Sequence, residues 1–289
     1  MTSQRPSYSV ASTIRLNNDI QMPRIHLGVY MTSGSQTKNA VTHALSAGYR
    51  AIDSAEWYAN EAEVGSSIRS YLDSDQNTTG LKREDIWFTT KLKENNGYDA
   101  TRKSIKKSIK QSGLGYLDLY LLHSPYGGKK ARLECWRAVE DAVQEGEVRA
   151  GGVSNFGVKH LQELLDAKTK LVPAVNQVEV HPFNTRTDIT TFCASHGIVV
   201  EAYAPLARAM RMKHPTVVEL SKRYACTPAQ LLVRWSLQHG YVPLPKSVKR
   251  ERIIANAEVD GFEIDEDGMG DLDRCDEYLV TDWDPTDCD

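Results

Sequence analysis

Cysteine is scarce and scattered in this chain. The five residues (135, 193, 226, 275 and 288) are odd in number, lie far apart and form no Cys-x-x-Cys pair. That spacing excludes a disulfide framework and fits a reducing cytosol. Cys193 and His196 make an isolated pair, too few ligands for a metal site. No apolar run approaches the roughly 20 residues needed to span a bilayer. The opening Met1-Thr2-Ser3-Gln4-Arg5-Pro6 has no hydrophobic stretch that would serve as a secretory signal, and residues 1–11 read as a frayed tail on a cytoplasmic protein. No Gly-x-Gly-x-x-Gly follows a candidate strand, which excludes a Rossmann dinucleotide unit. Internal repeats and linker-like stretches are also missing, so residues 1–289 are expected to form one domain.

What is present is ordinary globular composition, 40% hydrophobic and 25% charged, over 289 residues. Net charge is −3, but residues 263–289 carry twelve acids and one base. The remaining body holds 34 bases against 26 acids, about +8. A basic body suits a phosphate-bearing ligand, although unpatterned surface charge would look the same. Arg102-Lys103-x-x-Lys106-Lys107-x-x-Lys110 has helical spacing and reads as a solvated helix face rather than a nucleic-acid site.

From residue 24 onward, short β-rich segments alternate with segments of helical period, the rhythm of βαβ units and a parallel sheet. Strands are predicted at Arg24–Leu27, Tyr49–Ile52, Ile86–Thr90, Tyr116–Leu122, Val148–Val153, Ala174–Val178, Ile198–Tyr203 and Tyr241–Leu244. Helices are predicted near 36–47, 61–72, 99–112, 131–145, 157–167, 187–196, 214–224 and 250–257. Eight of each closes an α/β barrel of the (β/α)8 TIM type, for which about 250 residues suffice. Thr227-Pro228 predicts one further helix over 228–238. Ahead of the barrel, Thr13–Leu16 and Ile20–Met22 flank Asn17-Asn18-Asp19, a β-hairpin signal. A short polar C-terminal tail follows the barrel.

In a parallel barrel the C-terminal ends of the strands share one rim, and that rim carries the active site. Asp53, Lys91 and His123 each end a successive strand, and Tyr58 follows Asp53 by one turn. An ammonium beside a phenol lowers the phenol pKa from about 10, and a carboxylate on the ammonium holds it in place. Asp53, Lys91 and Tyr58 have the composition of such a proton donor, with His123 to orient or polarise a substrate oxygen. Taken singly, each residue has a plainer reading: a buried ion pair, a packing tyrosine, a satisfied core imidazole. Lys246, Ser247 and Arg252, with Lys249 and Arg250, cluster where the last strand meets a helix N-terminus, a setting for phosphate.

Several motifs in register, from about residue 12 to about 283, resemble the aldo-keto reductases. They are Gly-Tyr-Arg-x-Ile-Asp-x-Ala-x-x-Tyr ending at Tyr58, Asn60-Glu61-x-x-Val64-Gly65, Thr90-Lys91-Leu92, Leu122-His123-x-Pro125, Gly152-Val153-Ser154-Asn155-Phe156 and Pro245-Lys246-Ser247. The resemblance implies a monomer or weak homodimer that reduces small aldehydes or ketones with NADPH, with Tyr58 as acid. It also implies that Ser154, Asn155 and Gln177 bind the nicotinamide carboxamide and that Tyr203 stacks on the ring. Lys246 and Arg252 would grip the 2′-phosphate, with Ser247 and Val248 beside them. Asn256 would contact adenine, and Pro205 and Leu206 lie in the loop that clasps the pyrophosphate.

The chain departs from that pattern around the substrate pocket. Tyr30 stands where tryptophan is common, His26 where glycine is usual, and Lys93 and Ser124 at aromatic positions. Trp57 is a candidate replacement wall, and a charged Lys93 would favour polar or acidic substrates unless it points to solvent. Ala204-Pro205-Leu206-Ala207-Arg208 replaces Ser-Pro-Leu-Gly, and Ala255 replaces a glutamate. Trp283 would either cap the site or pack on the barrel wall. Two other classes fit the residues. One is an NADP(H)-binding regulatory subunit acting through a partner. The other is a barrel lyase with a Schiff base on Lys91.

Overall fold

A computed structural model describes residues 8–289. The chain opens with an antiparallel hairpin, β1 (Thr13–Arg15) and β2 (Gln21–Pro23), with Ile14 opposite Met22. Eight parallel strands follow: β3 (Leu27–Gly28), β4 (Ala51–Asp53), β5 (Trp87–Leu92), β6 (Leu117–Leu122), β7 (Val148–Ser154), β8 (Val175–Glu179), β9 (Val199–Tyr203) and β10 (Val242–Leu244). They pair in sequence order, each with the next. The ends meet where His26 N donates to Pro243 O and Gly28 N to Pro245 O, both at 3.2 Å, so the sheet curls into a nearly closed barrel.

Buried strands carry the predicted apolar runs, and their two faces divide by side-chain alternation. In β6, Leu119 and Leu121 belong to the interior cluster with Ala51, Trp87, Ala150, Val175 and Val242. Tyr120 and Leu122 face the helices. Leu16 and Met22 of the hairpin, 2% and 0% exposed, join the interior cluster. The hairpin is therefore a plug over the N-terminal end of the barrel, opposite the rim that carries Asp53, Lys91 and His123.

The helices are α1 (Gly34–Ser46), α2 (Glu61–Leu72), α3 (Tyr98–Ser112), α4 (Gly128–Gln144), α5 (Val158–Asp166), α6 (Thr187–Ser195), α7 (Pro215–Arg223), α8 (Pro228–Gln238), α9 (Arg250–Ala257) and α10 (Glu266–Asp273). The Thr227-Pro228 signal gives α8 a capping box: Gln230 N donates to Thr227 Oγ1 and Thr227 N to Gln230 Oε1. Lys103, Lys106, Lys107 and Lys110 of α3 are exposed, while Ile105 and Ser108 face inward. Gly65 has a steric reason: a Cβ there would lie 1.9 Å from Ser112 O, so only glycine lets α2 meet the end of α3.

Strand bounds either coincide with those predicted or shift by up to three residues, and the helix α10 was not predicted at all. Two glycines inside an acidic eight-residue segment hide it. Asp265 Oδ1 caps it by accepting from Gly268 N at 2.9 Å, and a Cβ on Gly268 would lie 2.3 Å from Tyr224 Oη. Of the tail expected over 1–11, residues 1–7 lie outside the described residues. Tyr8 lies under the Arg234 guanidinium, 4.4 Å from ring centre to Cζ. No helix among the described residues is long and apolar enough to cross a membrane.

Candidate active site

Parallel pairing in register fixes where the chemistry-bearing residues fall. Asp53 ends β4, Lys91 is the penultimate residue of β5, and His123 directly follows β6. Lys91 Nζ donates to both Asp53 oxygens, at 2.7 and 2.9 Å, and to Ser54 O at 2.8 Å. Those bonds use all three ammonium hydrogens. The ammonium also lies 5.1 Å from the Tyr58 ring centroid.

Tyr58 is carried on a one-turn 3-10 helix (Glu56–Tyr58), which ends at left-handed Ala59. Glu56 holds that turn by accepting from Ser104 Oγ at 2.7 Å, Lys107 Nζ at 2.8 Å and Lys93 N at 3.2 Å. Asn60 ties it to the loop after β3: its amide donates to Val29 O and Thr32 O, and its Oδ1 accepts from Ser54 Oγ at 2.6 Å. The Tyr58 ring sits 5.1 Å from Tyr30 and 5.9 Å, edge-on, from His123.

The electrostatics differ from the expectation of a lowered phenol pKa. Burial raises the Tyr58 phenol well above its ordinary value, and the Asp53 charge raises it further. The reason is geometric, because the Lys91 charge is matched by Asp53 and its donors are spent. Tyr58 in this state is a firmly protonated phenol. Burial, followed by the Lys91 charge, drives His123 down to about 3, so it is a neutral imidazole. Its Nδ1 is buried without a hydrogen-bond partner.

The expected nicotinamide residues also converge. Ser154 ends β7 and donates to Gln177 O at 2.8 Å. Asn155, left-handed at φ 60°, donates to His123 O at 2.9 Å, and its Oδ1 accepts from Tyr203 Oη at 2.9 Å. Gln177 donates to Asp53 Oδ2 at 2.9 Å and to Glu201 Oε2 at 2.6 Å, leaving its own Oε1 as the free acceptor. At the N-terminus of α9, Lys246, Lys249, Arg250 and Arg252 are exposed. None has an acidic partner among the described residues. Ser247 and Asn256 are buried there, and Val248 is half-buried.

Around the mouth, Trp57 is 57% exposed, donates from its indole to Lys93 O at 2.8 Å and lies 4.8 Å from Lys93 Nζ. Lys93 is exposed at the rim against that ring, and Ser124 is buried. Trp283 reaches in from the tail, 6.3 Å edge-on from His123 and 5.7 Å from Tyr126. It therefore stands at the mouth. Glu179 anchors this tail by accepting from Thr281 N at 3.1 Å and from the Thr281 hydroxyl.

Pro205 is buried and Leu206 packs on the core, in a loop where Ala204, Ala207, Arg208 and Ala209 all have left-handed backbone. Arg208 lies 5.5 Å from the Tyr30 ring centre and pairs with Asp282 at 2.5 Å, linking this loop to the tail. Sequence reasoning missed Arg208, Asp282, Glu179 and Glu201 as site neighbours. Glu201 had a signal, being a carboxyl inside an apolar strand. Glu179 had the same kind of signal, a buried carboxyl ending β8, whereas Arg208 and Asp282 are exposed residues with no local mark. No group of three or more His, Cys, Asp or Glu among the described residues is placed to hold a metal ion.

The nearly closed parallel barrel carries Asp, Tyr, Lys and His on its C-terminal rim, and the comparisons identify the class as oxidoreductase. The Aldo/keto reductase family model matches residues 24–277. The chain is 44% identical over 276 residues to an uncharacterized oxidoreductase of Schizosaccharomyces pombe, covering 96% of this chain and 98% of that one. It is 39% identical over 268 residues to glyoxal reductase of Bacillus subtilis, covering 92% and 93%. An aldo-keto reductase of Bombyx mori, crystallised in complex with NADP, superposes with a TM-score of 0.86 at 30% identity, covering 94% of each chain. The chain belongs to the aldo/keto reductase family.

Proposed function

We propose that this protein is an NADPH-dependent carbonyl reductase in which Tyr58 is the proton donor. The observation that carries this reading is the Lys91 ammonium, held under the Tyr58 ring by Asp53 and Ser54, with neutral His123 beside it. Bound NADPH supplies the hydride for the carbonyl carbon. Tyr58 gives its proton to the carbonyl oxygen as negative charge develops there. The Lys91 ammonium, 5.1 Å from the ring, then offsets only part of the cost of the phenolate left behind, because Asp53 already matches most of its charge. His123, being neutral, donates one N–H to the same oxygen and orients it.

The residues present fit the cofactor. Gln177 Oε1 and the Ser154–Asn155 pair offer hydrogen-bonding groups for a carboxamide, and Tyr203 is half-buried beside them with its hydroxyl on Asn155. Four bases in and just before the first turn of α9, with no acidic partner among the described residues, suit a phosphomonoester, and hence NADPH over NADH. Asn256 and Val248 on the same stretch are assigned to the adenosine side. Pro205 and Leu206 place the loop after β9 to close over the pyrophosphate.

The substrate assigned is a small aldehyde, ketone or dicarbonyl entering a mouth of aromatic rings: Tyr30, Trp57, Tyr126 and Trp283. Loss of reduced-nicotinamide absorbance, measured with NADPH and NADH over a panel of aldehydes, ketones, keto acids and glyoxals, tests this. Turnover with NADPH well above NADH is expected. No turnover on any carbonyl, with NADPH bound tightly, would overturn it.

A further inference from the structure

Directly beneath the Asp53–Lys91 pair lies a second acid that the proposed chemistry does not use. Glu201 sits at the centre of β9, fully buried, opposite Gln177 in the β8–β9 ladder. One Gln177 amide bridges the two carboxyls, donating to Asp53 Oδ2 and to Glu201 Oε2. The remaining oxygen, Glu201 Oε1, faces His26 Nδ1 at 3.4 Å. Both atoms are buried, and neither makes a hydrogen bond with the geometry of an N–H donor. His26 Nε2 lies 2.9 Å from Pro23 O. A carbonyl only accepts, so Nε2 carries the ring hydrogen, and Nδ1 of a neutral ring is a bare lone pair. A carboxylate opposite that lone pair would leave two acceptors face to face and add a negative charge with no counter-ion next to the Asp53–Lys91 pair.

We propose that Glu201 and His26 hold one proton between them beneath the tetrad, and that Glu201 acts as a positioning residue by remaining an uncharged acid, so that Asp53 alone counters Lys91. The proton sits on Glu201 Oε1 and is accepted by His26 Nδ1. Burial pushes His26 down to about 3, and the Lys91 charge works in the same direction. Burial and then the Asp53 charge push Glu201 up to about 8. The charged and polar groups facing Glu201 are Asp53 from β4, Lys91 from β5, Gln177 from β8 and His26 from the segment before β3. From β10 its ladder partner is Val242, with Pro243 next to it; neither titrates.

The consequence reaches Tyr58 through charge. Once Glu201 ionises, a second buried negative charge beside Asp53 strengthens the phenol's hold on its proton, and the acid weakens. Reductive turnover then falls as pH passes about 8. Glu201→Gln copies the protonated acid: its amide donates to His26 Nδ1, its oxygen accepts from Gln177, and it cannot ionise.

The test has two arms, of which only the kinetic one rests on the reductase reading. Infrared difference spectra of the full-length protein are recorded for wild type against Glu201→Gln. At neutral pH we expect a carboxylic-acid carbonyl stretch present only in wild type, lost on titration through about pH 8. His26→Leu removes the acceptor and moves that stretch to higher frequency. In the kinetic arm, the alkaline fall of kcat moves up by at least roughly one pH unit in Glu201→Gln. Glu201→Leu loses roughly ten-fold in kcat, and Glu201→Gln recovers most of that loss. Absence of the acid band at neutral pH, or an alkaline limb unmoved in Glu201→Gln, overturns the proposal. The infrared arm needs no substrate, so it separates failure here from failure of the reductase reading.

Discussion

Trp283, six residues from the chain end, stands edge-on to His123 with ring centroids 6.3 Å apart. A tail residue thus forms one wall of the proposed carbonyl site, and it is held there by Thr281 on Glu179 and by Asp282 on Arg208. Because the tail touches the mouth rather than the proton donor, Thr281→Val is expected to raise KM for larger carbonyls several-fold while changing kcat little. Steady-state kinetics on a graded series of aldehydes checks this. An equal loss in kcat would instead tie the tail to the chemistry.

Tyr58→Phe removes the only hydroxyl proposed to protonate the substrate and leaves the ring packed against Tyr30. Turnover should fall by roughly 10²–10⁴-fold, the range for a positioned general acid. NADPH affinity, followed by quenching of tryptophan fluorescence, should stay within about two-fold. Retained turnover would remove Tyr58 as the acid.

Lys246→Ala and Arg252→Ala each delete one proposed phosphate contact without disturbing an ion pair. Hydrogen bonds to charged groups contribute about 1.5–3 kcal/mol, so NADPH binding should weaken by about ten-fold or more per substitution. NADH binding should hardly change. A uniform loss for both cofactors would place these bases elsewhere than on the 2′-phosphate.

Glu201 and His26 give stability a pH dependence with a definite sign. Between its unfolded value of 4.5 and its folded value of about 8, Glu201 holds a proton in the native state that the unfolded chain has released. That contribution is lost as pH rises. His26 acts oppositely, because below 6.5 the unfolded ring takes a proton that the native ring refuses until about 3. The two oppose each other between 4.5 and 6.5, leaving Glu201 alone above 6.5. Each slope is about 1.4 kcal/mol per pH unit. Urea titrations should show wild type losing about 2 kcal/mol more than Glu201→Gln between pH 6.5 and 8.

Gly65→Ala tests the close approach of α2 to the end of α3. The added methyl cannot avoid the Ser112 backbone, so we expect a loss of about 1–3 kcal/mol, read as a lower Tm, with turnover per folded molecule unchanged.

Much of this molecule was legible along the chain because its signals are local. Apolar runs broken at the right interval marked the strands, Thr227-Pro228 marked a helix start, and Asp53, Lys91 and His123 announced themselves by ending those runs. The helix α10 escaped because glycine and acid mask its period, and only packing on Tyr224 explains Gly268. What the linear order could not settle was how charges combine in three dimensions. It placed an ammonium near a phenol and so suggested a lowered phenol pKa. Only the folded barrel shows the ammonium already matched by Asp53 and the phenol desolvated, which reverses the direction. Likewise, His26 and Glu201 are 175 residues apart and meet only because the first and seventh barrel strands share one interior. Residue type and period determine the elements and the rim on which reactive groups fall. Burial and cross-barrel distance, which exist only after closure, decide where the protons reside.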